Sequence, residues 1–72
     1  MIIFPEIAKL MSMKKMYQKD IAKLIGVTPQ HAGRILSGKA EFKRSDMVKI
    51  KEHFNDVAPG ISMDKLFAIF LG

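Results

Sequence analysis

Side chains that can recognise nucleic-acid bases are the clearest chemical feature of this sequence. Gln30 can pair with adenine, because its amide offers one donor and one acceptor that match N7 and N6 of the base. Arg34 follows one helical turn later and can donate two parallel hydrogen bonds to guanine O6 and N7, or bind a phosphate. His31 lies between them and can hydrogen-bond a base or a phosphate, remain solvated, or face a protein partner.

The sequence gives little support for catalysis or for metal binding. The chain has no Cys, no Gly-rich phosphate loop and no nucleophile paired with a base at a plausible spacing. His53 has no cluster of acidic residues around it, which disfavours a metal site. The five Phe and one Tyr are too few for a base-stacking platform of the RNA-binding type. We therefore expect a binding protein that is not an enzyme and uses no cofactor or metal.

Two short helices joined by a tight turn are the elements that would present these side chains, and residues 18–38 have the required spacing. Gly26 can end the first helix in a left-handed conformation without a Cβ clash. Ala22, four residues earlier, is small where the second helix must pass close. Thr28 is a good N-cap for the second helix, and Pro29 follows at the first helical position, where a missing N–H costs nothing. The predicted helices run from about 18 to 25 and from about 29 to 37.

Three further helices are predicted from apolar periodicity and capping residues. They begin at Pro5, at an N-cap Ser45 and at an N-cap Ser62, and end near residues 13–15, 54 and 71. The sequence therefore predicts an all-α fold, a compact bundle of about five short helices containing a helix-turn-helix.

The segment 18–38 resembles the helix-turn-helix of the lambda-repressor and Cro superfamily. The positions that carry the likeness are Gln18, Ala22, Gly26, Val27, Thr28, Ala32 and Ile35. Tyr17 stands where a Ser or Thr cap is common in that superfamily. The resemblance covers about residues 6–67 and implies a small regulator of the temperate-phage Cro type. Such a protein would bind a palindromic operator in double-stranded DNA as a dimer and repress transcription.

The expected DNA contacts follow from this arrangement, since the N-terminal part of the second helix enters the major groove. Base contacts are expected from its outward residues, Pro29, Gln30, His31, Gly33, Arg34 and Ser37. Phosphate contacts are expected from Gln18, Lys19, Thr28, Lys39, Lys43 and Arg44. Gly33 has no side chain, so the backbone there can approach the groove floor, or it can pack tightly against another helix.

The positive charge is concentrated in the half of the chain that holds the motif. Residues 1–44 contain nine Lys and Arg against three acidic residues, a net charge of +6, whereas residues 45–72 carry a net charge of −1. A Lys-rich solvated surface would also look like this, but together with the motif the asymmetry favours a phosphate-binding face.

The two ends of the chain are apolar, and 49% of all residues are hydrophobic. Residues 1–4 can pack under the domain or offer an arm to another chain. The last helix, predicted over 62–71, is apolar on all sides, so we expect part of it to form a protein interface. The residues expected there are Leu66, Phe67, Ile69, Phe70 and Leu71. Simple core filling is the alternative.

An interface of this kind leaves two other functions open besides DNA binding. The chain can be a phage modulator of repression that uses the same fold to bind the repressor protein. It can also be an antitoxin whose C-terminal helix binds a toxin.

The length of 72 residues predicts a single domain over residues 1–72, near the lower limit for an independent core. No apolar run approaches the roughly 20 residues that span a membrane, and the start lacks the basic lead of a secretory signal. We therefore expect a protein of the bacterial host cytoplasm or nucleoid, with no membrane partner and no small-molecule substrate.

Overall fold

The computed structural model describes residues 1–69, which form five α-helices and no strand. The helices are α1 (Pro5–Met13), α2 (Gln18–Ile25), α3 (Pro29–Leu36), α4 (Arg44–His53) and α5 (Met63–Leu66), and a short 3₁₀ helix (Phe54–Asp56) continues α4. The predicted all-α fold with a helix-turn-helix is confirmed. Within the described part of the chain, no helix is long and apolar enough to span a membrane.

The core is mostly aliphatic, with Phe4 and Phe54 as its buried aromatic residues, and every helix contributes to it. Each amphipathic helix buries one stripe and leaves the opposite face in solvent. The side chains that are completely enclosed are Ile7, Ile21, Ile35, Leu36, Ile50, Phe54 and Leu66. Because α3 turns its aliphatic side inward, its polar side faces outward.

The start of α2 explains how the helix forms without a Ser or Thr cap. The backbone N–H of Tyr17 donates a hydrogen bond of 2.7 Å to Oδ2 of Asp20, three residues later. This bond holds the chain in the turn that precedes the helix, and the Asp20 carboxylate also lies near the positive end of the helix dipole. Tyr17 itself remains exposed.

The N-terminal segment, residues 1–4, packs under the domain, which is the first of the two arrangements expected for it. Phe4 is buried, and its ring packs edge-on against Phe42 and Phe67, with centroids 5.3 and 6.2 Å away. The backbone N–H of Ile3 donates to the carbonyl of Leu36 at 2.9 Å, so the segment also satisfies the last turn of α3. Met1 remains fully exposed.

The C-terminal helix is shorter than the predicted span of 62–71, because α5 ends at Leu66. Phe67 leaves helical geometry, and its ring packs edge-on against Phe42, with centroids 5.2 Å apart. Leu66 is completely buried, so its expected role in a protein interface is wrong for the folded monomer. Phe70 and Leu71, also expected there, lie outside the described residues.

A smaller correction concerns α4, which begins two residues earlier than predicted. Its N-cap position is Lys43 rather than Ser45, and the Lys43 side chain makes no capping hydrogen bond. Arg44 therefore becomes the first helical residue, so two neighbouring cations lie at the N-terminus of this helix.

Candidate nucleic-acid interface

The turn between α2 and α3 fixes the start of α3. Gly26 adopts the left-handed conformation, with φ of +74°, and Val27 then donates its N–H to the carbonyl of Ala22 at 2.9 Å. Thr28 caps α3, because its Oγ1 accepts a hydrogen bond of 3.1 Å from the backbone N–H of His31. Pro29 occupies the first helical position. Local chemistry alone thus sets where α3 begins and in which direction it leaves the turn.

The inward side of α3 is fully covered, and its outward side is open. Ala32, Ile35 and Leu36 are at most 2% exposed and anchor the helix to the core. Four of the six residues expected to contact bases lie on the exposed side. They are Pro29, Gln30, His31 and Arg34.

The other two expected base-contacting residues, Gly33 and Ser37, are half-buried. Ser37 follows the last residue of α3, and its hydroxyl donates a hydrogen bond of 3.2 Å to the carbonyl of Arg34. Gly33 faces Gln18 on α2 rather than solvent. The structure therefore favours the packing alternative for Gly33 and leaves the other four expected base-contacting residues on the open surface of α3.

Gln18 links the two helices of the motif. Its side-chain Nε2 donates a hydrogen bond to the carbonyl of Pro29, in the first turn of α3. The side chain is exposed, as a phosphate contact requires, but one of its two amide protons is already used within the protein.

The remaining residues expected to bind phosphate are exposed and surround the motif in sequence. Lys19 lies in the first turn of α2, and Lys39 follows the end of α3. Lys43 and Arg44 stand at the start of α4, where the first-turn N–H groups and the helix dipole favour an anion. Thr28 is also exposed, and its hydroxyl proton can still be donated, since the cap uses the oxygen only as an acceptor.

The surface grooves found among residues 1–69 lie apart from the outward side of α3. Three open surface grooves have volumes of about 280, 400 and 500 Å³, and no residue of α3 lines any of them. Among residues 1–69, no group of three His, Asp or Glu side chains could hold a metal ion.

Two contacts that support the motif were not anticipated from the sequence. One is the hydrogen bond from Gln18 to Pro29, and the other is the bond from Ile3 to the end of α3. Both join residues that are far apart in the chain. Only weak signals pointed to them, namely a glycine inside a helix at position 33 and the apolar character of residues 1–4.

A family model described as helix-turn-helix matches residues 7–62 of the chain. The match includes the whole α2–turn–α3 unit and covers more than half of the chain. Neither the curated proteins nor the solved structures gave a match.

Proposed function

The chain belongs to the Cro/C1-type helix-turn-helix family of DNA-binding transcription regulators, and from this premise we propose that it is a phage Cro-type repressor. It binds a palindromic operator as a dimer and represses by excluding polymerase. The observation that carries the proposal is the uncovered polar side of α3, presented by a capped turn with its aliphatic side locked in the core.

Base recognition rests on the exposed residues of α3. Gln30 pairs with an adenine, and Arg34, one turn later, forks onto a guanine or onto a phosphate beside it. Pro29 and His31 border these two side chains, and His31 hydrogen-bonds a base edge or a phosphate. Gly33 and Ser37 make no side-chain contact with a base in this arrangement.

Phosphate contacts hold α3 in the groove without reading sequence. The exposed cations Lys19, Lys39, Lys43 and Arg44 supply the charge. The hydroxyl of Thr28 and the second amide proton of Gln18 add neutral donors to phosphate oxygens. Binding of this kind weakens as salt rises, since each neutralised phosphate releases counterions.

Dimerisation would use the apolar surface at the C-terminal end of the described chain. Ile69 is 49% exposed and lines a groove of about 280 Å³ together with Ile3, Phe42 and Met47. A second copy that covers this groove must set the two α3 helices about one DNA turn, or roughly 34 Å, apart for both to enter the major groove. Phe67 is half-buried, with its ring packed against Phe4 and Phe42.

The DNA-binding part of the proposal is tested in two steps. First, affinity for a random-sequence duplex is measured against salt concentration, and a steep fall is expected. Second, a preferred duplex is selected from a random library with the unaltered protein. Gln30→Ala and Arg34→Ala should each weaken binding to that duplex by about 5- to 150-fold, because each loses a bidentate base contact worth roughly 1–3 kcal/mol.

A charge control makes the second step specific. Lys9 is exposed on α1 beside the loop 57–62, so Lys9→Ala should leave affinity for the selected duplex within about twofold of the original. If Gln30→Ala and Arg34→Ala behave like Lys9→Ala, the assignment of base contacts to α3 is wrong.

A further inference from the structure

The side-chain amide of Gln18 on α2 lies where a side chain at position 33 of α3 would begin. A Cβ atom at position 33 would lie 2.7 Å from Nε2 of Gln18 and 2.9 Å from its Cδ. Both distances are shorter than any ordinary van der Waals contact, so the Gln18 amide occupies the space that a larger residue at position 33 would need. Glycine at this position is therefore matched to the side chain of Gln18.

The same amide binds the first turn of α3. Its Nε2 donates to the carbonyl of Pro29, which is also the carbonyl that the backbone N–H of Gly33 faces in a regular helix. A Cβ on residue 33 points back towards the N-terminus of the helix and hence towards this carbonyl. Any side chain at position 33 would thus push the Gln18 amide away from its acceptor.

We propose that Gln18 and Gly33 act as one positioning pair, which fixes the first turn of α3 against α2 and so sets how Gln30 and Arg34 project into DNA. This inference rests on the proposed function. Gln18 acts through Pro29 and is a positioning residue even where its second amide proton also meets a phosphate. Gly33 contributes by leaving the space open.

The pair makes a prediction that separate roles do not make. If Gly33 only allowed α3 to approach the groove floor, and Gln18 only bound a phosphate, the effects of changing them would multiply in the double variant. If they act as a pair, either single change expels or removes the same amide contact. A second change then causes no further loss of affinity, because the amide contact is already absent.

The experiment compares Gly33→Ala, Gln18→Met and the double variant on two probes. The probes are the duplex selected by the unaltered protein and a random-sequence duplex. Methionine keeps the approximate length of Gln18 but cannot donate a hydrogen bond. Each single variant should bind the selected duplex about three- to tenfold more weakly, and the double variant no more weakly than the weaker single variant. Binding to the random duplex should change less, since no charge is altered.

Thermal unfolding separates positioning from simple damage to the fold. Alanine has a higher helix propensity than glycine, so the melting temperature of Gly33→Ala should stay level or rise while its affinity for the selected duplex falls. A fall in both quantities, by contrast, would mean that Gly33→Ala only damages packing and would overturn the positioning role.

Hydrogen exchange at the glutamine side chains tests the pair without any DNA. The chain has two glutamines, and Gln30 lies exposed on α3 as an internal reference. The side-chain amide protons of Gln18 should exchange more slowly than those of Gln30, and Gly33→Ala should abolish the difference. The proposal is overturned if the two amides already exchange alike in the unaltered protein, or if the single effects on affinity multiply in the double variant. If the unaltered protein selects no DNA sequence, the proposed function fails, and the exchange comparison still decides whether the pair exists.

Discussion

Lys14 is the residue that ties the end of α1 to the end of α4. Its ammonium donates to the carbonyl of His53 at 3.0 Å and to Oδ1 of Asp56 at 3.1 Å, and it lies 5.8 Å from the centre of the Phe54 ring. The Lys14 side chain is 19% exposed and that of Asp56 is 63% exposed. One cation therefore interacts favourably with a helix C-terminus, a carboxylate and an aromatic ring at once.

The pKa of Asp56 should report this contact. The hydrogen bond from Lys14 lowers the pKa below its ordinary value of 3.8, and the attraction of the ammonium charge acts in the same direction. A depressed pKa in the folded state stabilises the protein at pH values above 3.8, and this contribution is lost as pH falls through the folded-state pKa. In Lys14→Met, the pKa of Asp56 should rise towards 3.8, and the acid-induced loss of stability from this group should shrink.

An NMR titration of the Asp56 carboxyl carbon, together with thermal unfolding over the acid range, measures both effects. Lys9→Met removes a cation that does not touch Asp56 and should leave its pKa low. An Asp56 titration that is identical in Lys14→Met and in the unaltered protein would contradict the role given to this ion pair.

At the scale of the helix, the Thr28 cap should stabilise the start of α3. Thr28→Ala leaves the N–H of His31 without its acceptor, and the expected loss is about 1 kcal/mol of unfolding free energy, or roughly 4–8 °C in melting temperature. Thr28→Ser keeps the hydroxyl and should stay within about 0.5 kcal/mol of the unaltered protein. Equal melting temperatures for the Ala and Ser variants would show that the cap does not stabilise α3.

The boundaries of α2 and the start of α3 were predictable because short-range chemistry decides them, whereas the capping signal of Ser45 did not set the start of α4. The predicted α2 matches the observed Gln18–Ile25, because Gly26 stops the helix through its own backbone freedom. The predicted α3 is one residue too long, and its start at Pro29 is correct, because Thr28 and Pro29 act on adjacent atoms. Signals of this type need no knowledge of the rest of the fold.

Boundaries and contacts that depend on distant residues were not predictable. The apolar run after Ser62 predicted a helix to residue 71, but Phe67 leaves the helix and packs against Phe4 and Phe42. The contact between Gln18 and Gly33 spans two helices, so it has no periodic signature in the sequence. Tertiary packing rather than local helix propensity ends α5 before Phe67. Tertiary packing also accounts for the glycine at position 33, which local propensity does not explain.

At the scale of the whole molecule, the exposed polar surface of α3 and the exposed apolar groove lie on different parts of the chain. The exposed side of α3 is polar and uncovered, whereas the groove beside Ile69 is apolar and includes Ile3, Phe42 and Met47. A contiguous exposed apolar surface is a candidate site for association with another protein. The same surface would serve a second copy of the chain in a Cro-type repressor, or a foreign protein in a modulator of repression or an antitoxin.

Solution mass distinguishes these assemblies. A dimeric repressor should sediment at twice the chain mass of 8.1 kDa, and Ile69→Asp should shift it to the monomer, because a carboxylate in an apolar interface loses its hydration. Met13→Asp is the matched control, since Met13 is 55% exposed on α1 beside a different groove, and that variant should remain dimeric. On the selected duplex, Ile69→Asp should also bind with lower affinity, since two linked half-site contacts become independent. An unaltered protein that is monomeric at micromolar concentration, both free and on the duplex, would contradict the dimeric repressor and leave the apolar groove to a foreign partner.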